Sequence, residues 1–458
     1  MWPILTTLLL SALLASGGTA PARRPLKGAD PGAVAATGPI ARAGTVSLDH
    51  DSRGATRGDG TRAYMRAVQT EDSSATTPAA LPFRVQPDDE LTREGFEKYY
   101  NMDYGGAITL FREERKVHPG DPFVVNHLLA AVLAEELNRE GALDATLYMG
   151  NRFLQLKTPP VDPLVKAEIG RLSRRALALA NQELAKNPKD VNALFARSVA
   201  RGLATVYSAV IEKHWLGALR QALGAYHDDV HILKLDPNYS DAKLVVGVYQ
   251  YIIGSLSWWE KGVAYVADIH GSKKKGLQLL RAAADGGGEE SIDAKTILAL
   301  FLARDKQYPE AIKIVSGVYS DFPHNFIFGL AQADLLNASG QHEEAIAAYR
   351  KLATLGEQGF FPHARGERAA YSLGRALRKE KNYAGAAAAY DEVRNFPHPN
   401  AAIVARAALD AGEMYDLLGQ RDEAIARYRR AIQIAPGSIT ARSAARWLKR
   451  PYHGGHGA

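Results

Sequence analysis

The sequence contains no cysteine, which excludes disulfides, thiolate metal ligands, a thiol nucleophile and a lipid-modified cysteine. Runs rich in β-branched residues are scarce, so nothing favours an extended sheet. Long apolar runs are also lacking. The two most apolar stretches, residues 4–15 and 244–259, have 12 and 16 residues, and a bilayer span needs about 20. No GxSxG, HExxH, Walker loop or dinucleotide fingerprint is present, so the familiar catalytic signatures are missing. An excess of one charge is missing too: 56 basic against 50 acidic residues leaves +6 over 458 residues, with a pI near 9.1. That is too mild to predict nucleic-acid binding, which needs basic residues gathered on one face. The isolated histidines His118, His127, His214, His231 and His270 show no ligand-like spacing and read as polar surface residues. No cofactor or metal site is expected.

What remains is ordinary in amount and unusual in arrangement. Hydrophobic residues make up 46 % and charged residues 23 %, as in soluble globular proteins, and alanine is abundant, which favours closely packed helices. A chain this long exceeds one compact core, so it is either several domains or one elongated array. Residues 1–22 read as an export signal: the short apolar run 4–15 is followed by Ala20-Pro21-Ala22, an A-x-A-like cleavage site, although no Lys or Arg precedes the run. Residues 23–87, rich in Gly, Ala, Thr, Pro and Arg, lack the apolar periodicity that would offset the entropy of ordering, and read as a disordered linker.

From residue 88 to 437 helical periodicity is continuous and repeats. Five pairs of small residues stand 12 apart: Gly95 and Ala107, Ala299 and Ala311, Ala333 and Ala345, Gly374 and Ala386, Gly412 and Ala424. Four residues after each pair comes a bulky side chain, Phe111, Val315, Tyr349, Tyr390 or Tyr428. Two antiparallel helices approach closely only through small side chains, and a bulky neighbour one turn on fills the space beside the crossing. Pro119, Pro323 and Pro436 stop the second helix of three units. One such hairpin cannot bury its apolar face alone, so copies must stack.

These residues resemble the tetratricopeptide repeat family. The best copy runs Gly412…Tyr415…Gly419…Ala424-Ile425…Tyr428…Ala431-Ile432…Pro436. The resemblance implies an all-α fold: a right-handed superhelical solenoid of antiparallel helix pairs, preceded here by the disordered region. Between residues 122 and 288 it weakens, and the stretches around Ala176–Ala180, Ala225–Ile232 and Gly276–Ala284 read as second helices of degenerate units. A period of about 34–40 residues gives roughly nine pairs. Residues 438–450 read as a capping helix with Ile439 and Trp447 inward and Arg442, Arg446 and Lys449 outward, and residues 451–458 as a flexible tail.

Two sites stand out. Arg368, Arg375, Arg378 and Lys379 fall on one stripe of a helix. The family resemblance places that helix on the concave surface, where a basic stripe would suit a peptide carboxylate; the bland reading is a solvated face. The next first helix reverses sign with Asp410, Glu413 and Asp416, which favours polar peptide recognition or ion pairing between repeats. Two asparagines of the family's carboxylate clamp have no counterpart, so that function does not carry over. The second site is the aromatic block Tyr249, Tyr251, Trp258 and Trp259, either an apolar groove for a partner helix or lipid chain or the thickest part of the core. The sequence thus points to a non-catalytic scaffold in the cell envelope that binds a protein or peptide partner. The competing readings are a cell-wall enzyme using Glu135, Glu136 or Glu260 and a lipid-associated protein using residues 249–259.

Overall fold

The computed structural model describes residues 81–143, 161–256, 270–362, 366–397 and 399–454. The signal segment, nearly all of the linker, Trp258, Trp259 and Glu260 lie outside them. Among the described residues 76 % are helical, in seventeen α-helices with no strand. Eight consecutive antiparallel pairs are followed by one last helix: α1 (Glu90–Tyr100) with α2 (Tyr104–Val117), α3 (Pro122–Arg139) with α4 (Pro163–Lys186), α5 (Val191–Val206) with α6 (Trp215–Leu235), α7 (Ala242–Gly254) with α8 (Lys273–Ala284), α9 (Ser291–Arg304) with α10 (Tyr308–Asp321), α11 (Phe326–Ala338) with α12 (His342–Glu357), α13 (Glu367–Lys379) with α14 (Tyr383–Glu392), α15 (Ala401–Leu417) with α16 (Arg421–Ile434), and α17 (Ile439–Lys449). The described residues hold eight pairs, and α4 and α6, at 24 and 21 residues, are the longest helices among them.

Helix starts are written in the sequence. Asp89, Asp121, Asp162, Asp190, Asn325 and Asn400 each cap a helix by accepting a hydrogen bond from a first-turn amide, and Pro122 and Pro163 supply the fixed φ of a first helical residue. Turns inside the pairs pass through the left-handed region: Gly340 at φ 90° and Gly419 at φ 73° bear no Cβ, whereas Met102, Lys306 and Lys381 hold φ near 60–70° with one.

The small-and-large pattern forms the seam. Ala107, Ala311, Ala333, Ala345, Ala386 and Ala424 are fully buried. The bulky residue sits directly on the small residue of its own partner helix rather than beside it. A Cβ on Gly374 would meet the Tyr390 ring at 2.5 Å, one on Gly412 would meet Tyr428 at 2.5 Å, and one on Gly95 would strike Phe111.

Helix α5 and the π turn after it, Val191–Ile211, are long and apolar enough to cross a membrane, yet 72 % of that window is buried among neighbouring helices. At the end of the array, α17 packs through Ala441, Ala444, Trp447 and Leu448. Ile439, expected inside, is 73 % exposed at the first position of the helix. The following segment, expected to be free, is held at Tyr452: its amide donates to Asp416 Oδ2 at 2.7 Å and its ring meets Trp447 edge-on. At the other end Phe83 is buried against Phe96 and Tyr100.

Candidate functional site

The first helices α11, α13 and α15 put alternating charges side by side. Asp334 on α11 accepts the Tyr349 hydroxyl at 2.5 Å. Burial pushes its carboxyl up to about 6, against the pull of Tyr349 and of Arg375. On α15, Asp410 accepts from the Tyr371 hydroxyl at 2.8 Å and from Arg406 Nε at 3.1 Å. Between these two acidic positions lies the basic helix α13.

The four cations of α13 do not form one free stripe. Arg378 Nη1 donates to Glu413 Oε2 at 2.8 Å and Nη2 to the Tyr452 hydroxyl at 2.9 Å. Burial pushes the Glu413 carboxyl up and Asp410 adds to that, with Arg378 opposing both. Lys379 Nζ lies 3.3 Å from His342 Nε2. Arg368 is half-buried, and burial pulls its guanidinium down to about 10. Arg375 differs from the other three. It is exposed, it makes no hydrogen bond or ion pair among the described residues, and its charge acts on Asp334, Tyr349, Tyr371 and Tyr390 around it. A guanidinium so placed offers planar donors to an incoming carboxylate. The sign reversal between α13 and α15 is therefore used, in large part, to tie adjacent repeats together.

The aromatic block is divided. Within α7, Leu244, Val245, Val246, Val248, Tyr251, Ile252 and Ile253 are buried. Tyr251 stacks on Phe301 at 3.9 Å between centroids, and its hydroxyl donates to Asp305 at 2.9 Å. Tyr249 is half-buried and stacks on Tyr226 at 4.0 Å. Of the candidate carboxylates, Glu135 is exposed while its neighbour Glu136 is buried and bound by Arg139 at 2.6 and 2.8 Å; the two do not converge. Among the described residues no three His, Asp or Glu side chains gather as a metal ion would require.

A third constellation was not foreseen. His127, read from the sequence as a surface residue, is buried between two carboxylates. Its Nδ1 lies 3.1 Å from Glu114 Oε1 and its Nε2 lies 3.2 Å from Glu289 Oε1. Burial alone would pull the imidazole down, but Glu289 and Glu114 outweigh it and hold the ring protonated up to about 10. Around this group the first hairpin is clasped to the middle of the array. Arg84 N donates to Gly287 O at 2.9 Å, the Tyr100 hydroxyl to Asp293 Oδ2 at 3.1 Å, Asn325 Nδ2 to Tyr100 O at 2.6 Å, and His324 N to Asn101 Oδ1 at 3.2 Å. Glu290 is buried beside these contacts with one carboxylate oxygen unpartnered, and burial together with Asp293, Asp241 and Glu289 pushes its carboxyl well up. Its charged form is costly there, with no cation among its described hydrogen-bond partners. One sequence signal was available: an imidazole, next to Asn126, in the otherwise apolar run from Phe123 to Leu133.

Models of the tetratricopeptide repeat match residues 330–402 and 405–438, the stretch that carries the α13 and α15 face. The chain therefore bears tetratricopeptide repeats in its carboxyl-terminal part, and repeats of this kind support a protein-interaction scaffold. No curated protein matches the chain. Among solved structures, pilF of Pseudomonas aeruginosa is 18 % identical over 55 % of this chain and 98 % of that chain, with a TM-score of 0.33. PilW, described as a widely conserved type IV pilus biogenesis factor, is 13 % identical over 61 % and 94 %, with a TM-score of 0.32. YrrB, described as a TPR protein with an unusual peptide-binding site, is 15 % identical over 58 % and 97 %, with a TM-score of 0.28. These scores are too low to carry any property of those proteins to this chain.

Proposed function

We propose that the chain is a non-catalytic interaction scaffold of the cell envelope, which holds an extended segment of a partner protein against the first-helix face of its carboxyl-terminal repeats. Arg375 is the contact we assign to a carboxylate of that segment. The observation that carries this reading is the exposed guanidinium of Arg375, unpaired among the described residues, on a face where Arg378 and Lys379 are already engaged by Glu413 and His342. Tyr371 and Asp334 flank it and give the face polar groups for the rest of an extended backbone. The envelope location rests on the apolar run 4–15 with Ala20-Pro21-Ala22 behind it.

Charge reversal at Arg375 is the direct test, because an exposed side chain can be changed without disturbing the fold. Affinity capture of the exported chain, read by mass spectrometry, should recover partners that Arg375→Glu loses or binds at least about ten-fold more weakly, as expected when a charge-assisted bidentate contact is inverted. Recovery of the same partners at unchanged affinity would show that this face is not where they bind.

A further inference from the structure

A second charged feature lies at the turn edge of the stack, away from Arg375. The first turn of α8 and the turn between α9 and α10 border a wide-open surface cavity of about 640 Å3, lined among the described residues by Lys273, Lys274, Leu277, Arg304, Asp305 and Lys306. The lining acid is already neutralised. Asp305 Oδ1 accepts from Lys273 Nζ at 2.5 Å and from the Tyr251 hydroxyl at 2.9 Å. Tyr251 is wholly buried and stacked on Phe301, and Lys273 also lies 5.5 Å over its ring. Asp305, largely buried, is thus held by Tyr251 and paired with Lys273.

Lys274, Arg304 and Lys306 remain. All three are exposed, and their side chains make no ion pair or hydrogen bond among the described residues. Three like charges from two successive pairs gathered on one cavity repel one another, and an anion placed among them relieves that repulsion. We propose that this cavity docks an acidic segment of a partner protein, with Lys274, Arg304 and Lys306 each meeting a carboxylate and Leu277 contacting the methylenes between them. Charge complementarity selects the occupant. The three cations are confined to one cavity, matching a few carboxylates of a peptide, whereas a nucleic acid presents an extended row of phosphates and needs a basic track to follow it.

The test uses the full chain and a fluorescein-labelled hexaglutamate peptide, with binding read by anisotropy at low ionic strength. The wild-type chain should bind the peptide and hexaglutamine should not compete. Combined Lys274→Glu, Arg304→Glu and Lys306→Glu should weaken binding by about ten-fold or more, since three modest exposed attractions become repulsions. The Arg375→Glu variant should bind hexaglutamate as the wild type does, which separates this site from the first-helix face. If the triple reversal lowers the helical circular dichroism, the triple glutamine variant replaces it, with a loss of several-fold expected. Unchanged binding in the variant that folds would overturn the proposal. So would competition by hexaglutamine, or a single-stranded oligonucleotide binding this cavity more tightly than the peptide.

Discussion

The carboxyl-terminal and amino-terminal parts of this array bury similar side chains by different rules. From α13 to α17 the contacts stay within one pair or reach only nearby units: Gly374 under Tyr390, Gly412 under Tyr428, Arg378 across to Glu413, and Arg378 to Tyr452, 74 positions on. In the first two pairs, decisive contacts reach 162 to 225 positions away, from Tyr100 on α1 to Asp293 and Asn325 and from His127 on α3 to Glu289. Regular repeats need only a local period, so their stability is close to a sum of neighbour terms. A clasp across the array instead couples distant units, and it places ionisable groups where removing one partner leaves another buried charge unmet. The difference teaches that sequence degeneracy in the middle of a repeat array can mark long-range closure rather than loss of structure.

The largest expected effect comes from glycines that look alike in the two parts. In Gly276→Ala the new Cβ would stand 2.5 Å from Tyr251 N and 2.7 Å from Gly247 O. Those are backbone atoms that cannot move aside, and the cost should be about 3 kcal/mol or more. In Gly412→Ala it meets the Tyr428 ring at 2.5 Å, which can shift, and alanine gains up to about 1 kcal/mol of helix propensity. The net cost should be about 1–2 kcal/mol. Hydrogen exchange of α7–α8 and of α15–α16 under urea reads the two separately, and equal costs would erase the distinction between backbone and side-chain crossings.

His127→Gln should cost about 3 kcal/mol at neutral pH, because Glu114 and Glu289 lose the cation between them. The folded imidazole titrates near 10 against an ordinary value of 6.5. Its contribution is therefore complete below about pH 6.5 and is lost as the pH rises toward and through 10. Melting curves of both chains at several pH values should converge in that window. A gap that does not change with pH would mean that His127 is neutral in its pocket.

The smallest of these effects sharpens the local side of the comparison. Arg378→Ala should cost about 1–3 kcal/mol, since it strips a charge-assisted bond from the largely buried Glu413 and from the Tyr452 hydroxyl. Faster exchange should stay within α15–α17 and the Tyr452 segment. Spread of that effect to α1 or α3 would contradict purely local stacking in this part.

Much of the fold was legible because it repeats. The spacing of 12 between Gly412 and Ala424, with Tyr428 one turn on, encodes a crossing that the structure reproduces at Gly95 and Gly374. The basic helix was legible as a pattern, but the fate of each cation was not. Whether Arg378 is free depends on Glu413 and Tyr452, which lie 35 and 74 positions away, and no helical period links them. The clasp was least visible. Glu114, His127 and Glu289 belong to three different units, and their burial follows from the packing of distant helices. Only the imidazole inside the run from Phe123 to Leu133 hinted at it.

The absence of cysteine allows the closure to be measured without interference. Spin labels on Lys98→Cys and Asp321→Cys, both exposed positions beside the contact between Asn101 and His324, report the distance between the first hairpin and the α10–α11 turn. Clasping predicts one short, narrow distance distribution in the full chain. A long or broad distribution would contradict it and leave an array held by neighbour contacts alone.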